Sequence, residues 1–160
     1  MNTSRTTAAA HAMRSVTPFL TCAGAVDAIE FYKQVFDAKE QARLLGPQGK
    51  VMYSNLQIGD SAICVVDDFP EYGALDPRAL KGTPVMIHLY VDDVDAVFAR
   101  TVDAGAKVRM PVEDMFWGDR YGQLEDPFGH LWSIATHVRE VSEEEMRQAM
   151  QKMADDSGDN

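Results

Sequence analysis

Residues 116–134 read Phe116-Trp117-Gly118-Asp119-Arg120-Tyr121-Gly122-Gln123-Leu124-Glu125-Asp126-Pro127-Phe128-Gly129-His130-Leu131-Trp132-Ser133-Ile134. Asp126 to Gly129 have the chemistry of a tight turn: Pro127 fixes φ, Gly129 permits a positive φ, and the Asp126 carboxylate accepts backbone amide protons. A strand follows, ending in His130 to Thr136. Working backwards from it, Val85 to Val91 reads as a strand and Val94 to Ala104 has helical spacing. Asp93 stands where an N-cap acceptor is wanted, and Gly105 where a left-handed terminal residue is wanted.

The first half of the chain has a similar order. Val16 to Cys22 alternates as a strand, Val26 to Phe36 carries the helical apolar set Ile29, Tyr32, Val35 and Phe36, and strands follow at Lys50 to Ile58 and Ser61 to Val66. Asp37 takes the helix-terminal position that Gly105 takes later, a setting an acidic residue tolerates less well. Asp27-Ala28 and Asp95-Ala96 open the two helices, and Ala38-Lys39 and Ala106-Lys107 follow them at the same offset, which indicates a duplicated α+β module.

Between the halves, residues 69–83 contain Pro70, Gly73, Pro77 and Gly82, which fit a surface linker able to swing one module against the other. After the second module, Ser142 and Glu145 form a capping box, and Met146, Met150 and Met153 make one apolar stripe that packs on the parent domain or on a partner subunit. Residues 1–13 mix Ser, Thr and Ala without an apolar period and are expected to be mobile; a short targeting piece is the alternative. The resulting division is 1–13, a domain over 14–138 built from modules 14–68 and 84–138, and a helix with an acidic tail over 139–160.

The 160 residues are 46% hydrophobic and 25% charged, enough for one domain with one core. No run approaches the roughly 18 apolar residues of a membrane span, so no membrane partner is expected and the chain reads as cytoplasmic. Cys22 and Cys64 are too few for a disulfide framework. The net charge of -10, to which residues 139–160 contribute seven acids against three bases, argues against nucleic acid as a partner.

The segment from Phe116 to Thr136 resembles the vicinal oxygen chelate superfamily, which holds glyoxalases, extradiol dioxygenases and bleomycin-resistance proteins, and especially its PhnB-like branch. Pro18-Phe19-Leu20, Ala28-Ile29-Glu30-Phe31-Tyr32 and Leu56-Gln57-Ile58-Gly59-Asp60-Ser61 carry the resemblance into the first half, so that it spans about Ser15 to Met153. The resemblance implies two tandem βαβββ modules forming a curved mixed sheet around a cleft, a homodimer, and in many members a divalent metal held by one residue from each of four strands. Thr17 and Met86 stand where the family's strand-start histidines would stand, Ser133 where its closing glutamate would, and Cys64 near the first-module counterpart. A Thr, Cys, Met and Ser set lacks the imidazole and carboxylate ligands of a catalytic site, so no metal cofactor is expected.

Candidate ligand contacts follow from strand parity and from the resemblance. Tyr53, Asn55 and Gln57 share one strand face and Leu56 and Ile58 the other. In PhnB-like sequences His and Glu often occupy the Tyr53 and Asn55 positions, so neutral hydrogen-bonders replace a possible acid and base here. His88 lies two residues beyond Met86, on the same face. Trp117 and Arg120 can wall a planar or anionic ligand, although Arg120 can equally pair with Asp119, Asp114 or Asp126. A polar network satisfied by neighbouring strands, and a buried, inert Cys64, are the structural alternatives. The leading expectation is a bleomycin-resistance-like protein that binds a small organic molecule without metal. A lyase, isomerase or dioxygenase using a recruited divalent metal or His88 as acid-base is the second, and an interaction module working through the helix from Ser142 to Ala154 is the third.

Overall fold

The computed structural model describes residues 14–157; the expectation for residues 1–13 lies outside the described residues. The first module runs β1 (Phe19–Cys22), α1 (Ala25–Phe36), β2 (Lys39–Leu45), β3 (Val51–Ile58) and β4 (Ser61–Asp67). The second runs β5 (Met86–Tyr90), α2 (Val94–Asp103), β6 (Lys107–Asp114), β7 (Asp119–Glu125) and β8 (Leu131–His137), followed by α3 (Glu143–Ser157). Each module is one four-stranded mixed sheet, ordered β1-β4-β3-β2 and β5-β8-β7-β6, with the first strand parallel to the fourth. The duplication read from the sequence is therefore a duplication of topology.

The local signals act as expected. The Asp93 carboxylate accepts the Ala96 amide at 3.0 Å and starts α2. Asp37 ends α1 in the left-handed region at φ 53°, a cost of roughly 1 kcal/mol that glycine would not bear. Ser142 and Glu145 bond reciprocally at the start of α3. The start of α1 has a partner that local sequence does not reveal: the buried Asp67 carboxylate accepts the Ala25 and Val51 amides at 2.9 and 2.7 Å, tying helix, β3 and β4 together.

One hydrophobic core serves both modules. Tyr32 and Phe36 of α1 pack on Trp132 of β8, with ring centroids 5.4 and 4.6 Å apart. Asp126 anchors this junction. Its carboxylate accepts the Tyr32 hydroxyl, the Trp132 indole N–H at 2.9 Å, and the Phe128 and His130 amides at 2.9 and 3.0 Å. Burial, with the nearby Asp126 charge, pushes the Tyr32 phenol well above its ordinary pKa, so it stays a donor.

The connector expected as a linker has ordered turns of its own and one contact with the second module. Buried Asp76 accepts the Arg78 and Ala79 amides, Gly82 N–H bonds back to Pro77 at 2.8 Å, and Pro77 lies against Gly129. Of the two places expected to cover the methionine stripe of α3, the parent domain does not, since no residue of that helix is buried among the described residues. Among the described residues no helix is long and apolar enough to cross a membrane.

Candidate functional site

Strand parity divides each sheet into a face that meets the helices and a face turned away from them. On the second sheet Leu124, Trp132 and Ile134 enter the core, which sends Met86, His88 and Tyr90 of β5, Asp119, Tyr121 and Gln123 of β7, and Ser133 and His137 of β8 to the other side. Register places His88 beside Ser133 and Ser133 beside Gln123, so residues 45 positions apart meet in one row.

His88 Nδ1 lies 2.7 Å from the Ser133 hydroxyl, which fixes the ring and leaves Nε2 without a protein partner among the described residues. The imidazole stands edge-on to Tyr90 at 4.6 Å and stacks with Tyr121 at 5.9 Å, while Trp117 meets Tyr121 edge-on at 5.6 Å. Gln123 donates to the Tyr121 hydroxyl at 2.9 Å. Tyr90 itself is 59% exposed, so this aromatic face is open.

Asp119 braces the far end of that face. Its buried carboxylate accepts the Tyr90 hydroxyl at 2.8 Å and the Trp117 indole N–H at 3.2 Å, and pairs with His137 Nδ1 at 2.9 Å. Burial alone would raise this carboxyl, but the three hydrogen bonds outweigh it and hold the group below its ordinary pKa. Bonds to Asp119 and Glu140 in turn raise His137 above its usual value. Gly118 is required beside them: at φ 101° any Cβ would run into the Arg139 carbonyl oxygen, and the Gly118 carbonyl receives the Val138 and Arg139 amides.

The six residues singled out by sequence fall into three places. His88 and Trp117 share the second-sheet face, joined there by Tyr90, Tyr121 and Gln123, which sequence reasoning passed over although their parity matches that of His88 and Asp119. Tyr53, Asn55 and Gln57 occupy the corresponding face of the first sheet, on β3. Gln57 bonds to the Gly59 carbonyl at 3.0 Å, whereas Asn55 is fully buried with neither side-chain nitrogen nor oxygen hydrogen-bonded among the described residues. Arg120 lies on the opposite side of β7. Its guanidinium grips Asp95 at 2.7 and 2.8 Å and Asp114 at 3.1 Å, bracing the first turn of α2, and it does not join the aromatic face.

A groove of about 1000 Å³ lies between the modules, lined by Val16, Pro18 and Ile63 on one side and by Ile87, His88 and Tyr90 on the other. His88 and Tyr90 thus belong to both the groove and the aromatic face.

The four strand positions at which the family resemblance implies a divalent metal do not suit one. Thr17 donates to the Arg14 carbonyl, Ser133 is engaged by His88, Met86 offers a thioether, and burial raises the Cys64 thiol away from thiolate. Among the described residues no three His, Cys, Asp or Glu side chains stand together as a metal group.

Known proteins agree with this architecture. The uncharacterized protein Rv0887c of Mycobacterium tuberculosis is 44% identical over 144 residues, covering 88% of this chain and 85% of that one. The X-ray structure of the Arabidopsis thaliana At5g48480 product matches at TM-score 0.63 and 28% identity, over 77% of this chain and 98% of that one. A PhnB protein from Bacillus cereus shares the fold, at TM-score 0.61 and 17% identity, over 77% and 99% of the two chains. The family model of the glyoxalase, bleomycin resistance protein and dioxygenase superfamily matches residues 11–134. With its paired βαβββ sheets and that match across most of its length, the chain belongs to the Glyoxalase/Bleomycin resistance protein/Dioxygenase superfamily.

Proposed function

We propose that this protein binds a small, planar organic molecule on the second-sheet face and the adjoining groove, and does so without a resident metal. The observation that carries this reading is the chain of ring contacts Tyr90–His88–Tyr121–Trp117 on an open face, with Gln123 and Ser133 among them. Aromatic faces offer stacking to a planar ligand, and the amide, hydroxyl and free imidazole nitrogen orient it. The unsatisfied Asn55 amide supports a polar ligand group at the first sheet as well, since leaving it unpaired costs about 1–3 kcal/mol.

Phe19 and Met86, exposed at 58% and 38% beside these faces, favour a homodimer in which a second copy adjoins the faces and closes them around the ligand. The unpacked α3, with Met150 and Met153 exposed, fits the same arrangement.

A thermal-shift panel of planar aromatic and antibiotic-like compounds tests the binding reading. Hits that raise Tm in the native chain and lose their effect in Tyr121→Ala are expected. A broad panel that moves nothing refutes it.

One observation favours a second reading. Ser133 orients His88 and leaves Nε2 unengaged, the arrangement of an acid-base group, so an isomerase or lyase step at His88 is the alternative. Turnover of a bound compound that disappears in His88→Gln while its binding persists would select that reading over sequestration.

A further inference from the structure

A cavity of about 320 Å³ opens where the connector meets the second sheet. Arg78, Lys81 and Thr83 line it from the connector, Arg109 from β6 and Glu125 from β7. Three cations and one carboxylate therefore converge on one hollow in a chain whose net charge is -10. Glu125 pairs with Arg109 at 2.7 Å, but Arg78 and Lys81 have no ion-pair partner among the described residues. With three cations against one carboxylate in its lining, the cavity holds a local surplus of positive charge.

The backbone beneath these two cations is fixed. Asp76 caps the turn, Leu80 N–H bonds to the Asp76 carbonyl, and Pro77 is buried against Gly129. Lys81 holds φ 61°, a left-handed setting that glycine would adopt at lower cost, so the position carries a lysine against local preference. Two unpaired cations on an ordered turn beside a concavity suit one ligand chemistry, a group with several anionic oxygens.

We propose that this cavity is an oxyanion site, holding the phosphate, sulfonate or carboxylate of a small molecule between Arg78 and Lys81, with Arg109 at its edge. Its position gives it a second use. Leu131 in its wall pairs with Met86, one same-face step, or about 7 Å, from the row that joins His88 to Ser133. A planar ligand stacked on Tyr121 and carrying an acidic arm of that length would reach both places. That extension rests on the binding reading above; the oxyanion site itself does not.

Calorimetric titration of the full chain with inorganic pyrophosphate at low salt tests the site with no aromatic ligand present. We expect saturable binding of one ion per chain, weakened about tenfold in Arg78→Ala and in Lys81→Gly, and unchanged in Lys39→Ala on β2 of the other module. Lys81→Gly relieves the left-handed strain, so its Tm should hold or rise and any loss of binding is not a loss of fold. Absence of saturable heat in the native chain overturns the proposal, and so does equal affinity in the Arg78→Ala, Lys81→Gly double variant. Failure of the aromatic panel with pyrophosphate binding intact would remove the ligand reading and leave this site standing.

Discussion

Replacing Asp126 by alanine should unfold this protein more readily than any surface change, because one carboxylate serves four donors at the junction of the modules. Two of those donors, the Tyr32 hydroxyl and the Trp132 indole N–H, belong to side chains no more than 1% exposed and are cut off from bulk water. Each orphaned buried donor costs about 1–3 kcal/mol, while the Phe128 and His130 amides sit at half-buried positions and recover part of their loss through water. The sum is about 3–5 kcal/mol, or a fall in Tm on the order of 10 °C for a chain of this size. Urea denaturation followed by tryptophan fluorescence measures it directly. Tyr32→Phe removes one of the four bonds, and a double-mutant cycle of the two should show a coupling of about 1–2 kcal/mol. A loss below about 1 kcal/mol in Asp126→Ala would refute the argument that this carboxylate fastens α1 to β8.

Gly118→Ala should destabilise by at least about 2 kcal/mol and disturb Trp117 fluorescence, since both its positive φ and the Arg139 carbonyl forbid a side chain. Arg120→Gln should leave stability close to that of the native chain, as its pairs with Asp95 and Asp114 are exposed and screened, and should leave ligand affinity unaltered in the same titrations. The pH dependence of Tm should differ between the native chain and His137→Gln. The His137 pKa is raised by folding, so its contribution is complete below the ordinary pKa of 6.5 and fades as pH rises through the elevated value. Asp119 has the opposite sign, its folded pKa being lowered, and Asp119→Asn should remove a contribution present at neutral pH that the native chain loses only in acid.

Much of the fold is legible in the sequence because its signals are local. Asp93, Asp37, Gly105 and the Asp126 turn each announce a boundary through their own backbone preference. β2 is not announced: Lys-Glu-Gln-Ala-Arg-Leu-Leu at 39–45 is made largely of good helix formers, and it becomes an edge strand because β3 offers a ladder. β7 is obscured in a similar way by its glycine and charges, and its pairing with β6 and β8 makes it a strand.

The site divides along the same line. Parity alone places Tyr90 with His88, and it also sets Arg120 across β7 from Tyr121, so the separation of Arg120 from the aromatic face follows from alternation. The His88–Ser133 contact is different in kind. It depends on parallel pairing of β5 with β8 across 45 residues, and neither segment encodes that register by itself. Nor does turn chemistry reveal that Pro77 of the connector lies against Gly129, because glycine and proline mark a bend without saying what it touches.

The most direct test is a fluorescence titration of the chelator-treated chain with a planar aromatic acid. Trp132 is buried and serves as a constant background, so a change reports on Trp117 at the open face. Saturable quenching with a micromolar to millimolar Kd, lost in Tyr121→Ala and unaffected by added zinc or manganese, is the predicted result. Binding that appears only when divalent metal is restored would contradict metal-free recognition by that face.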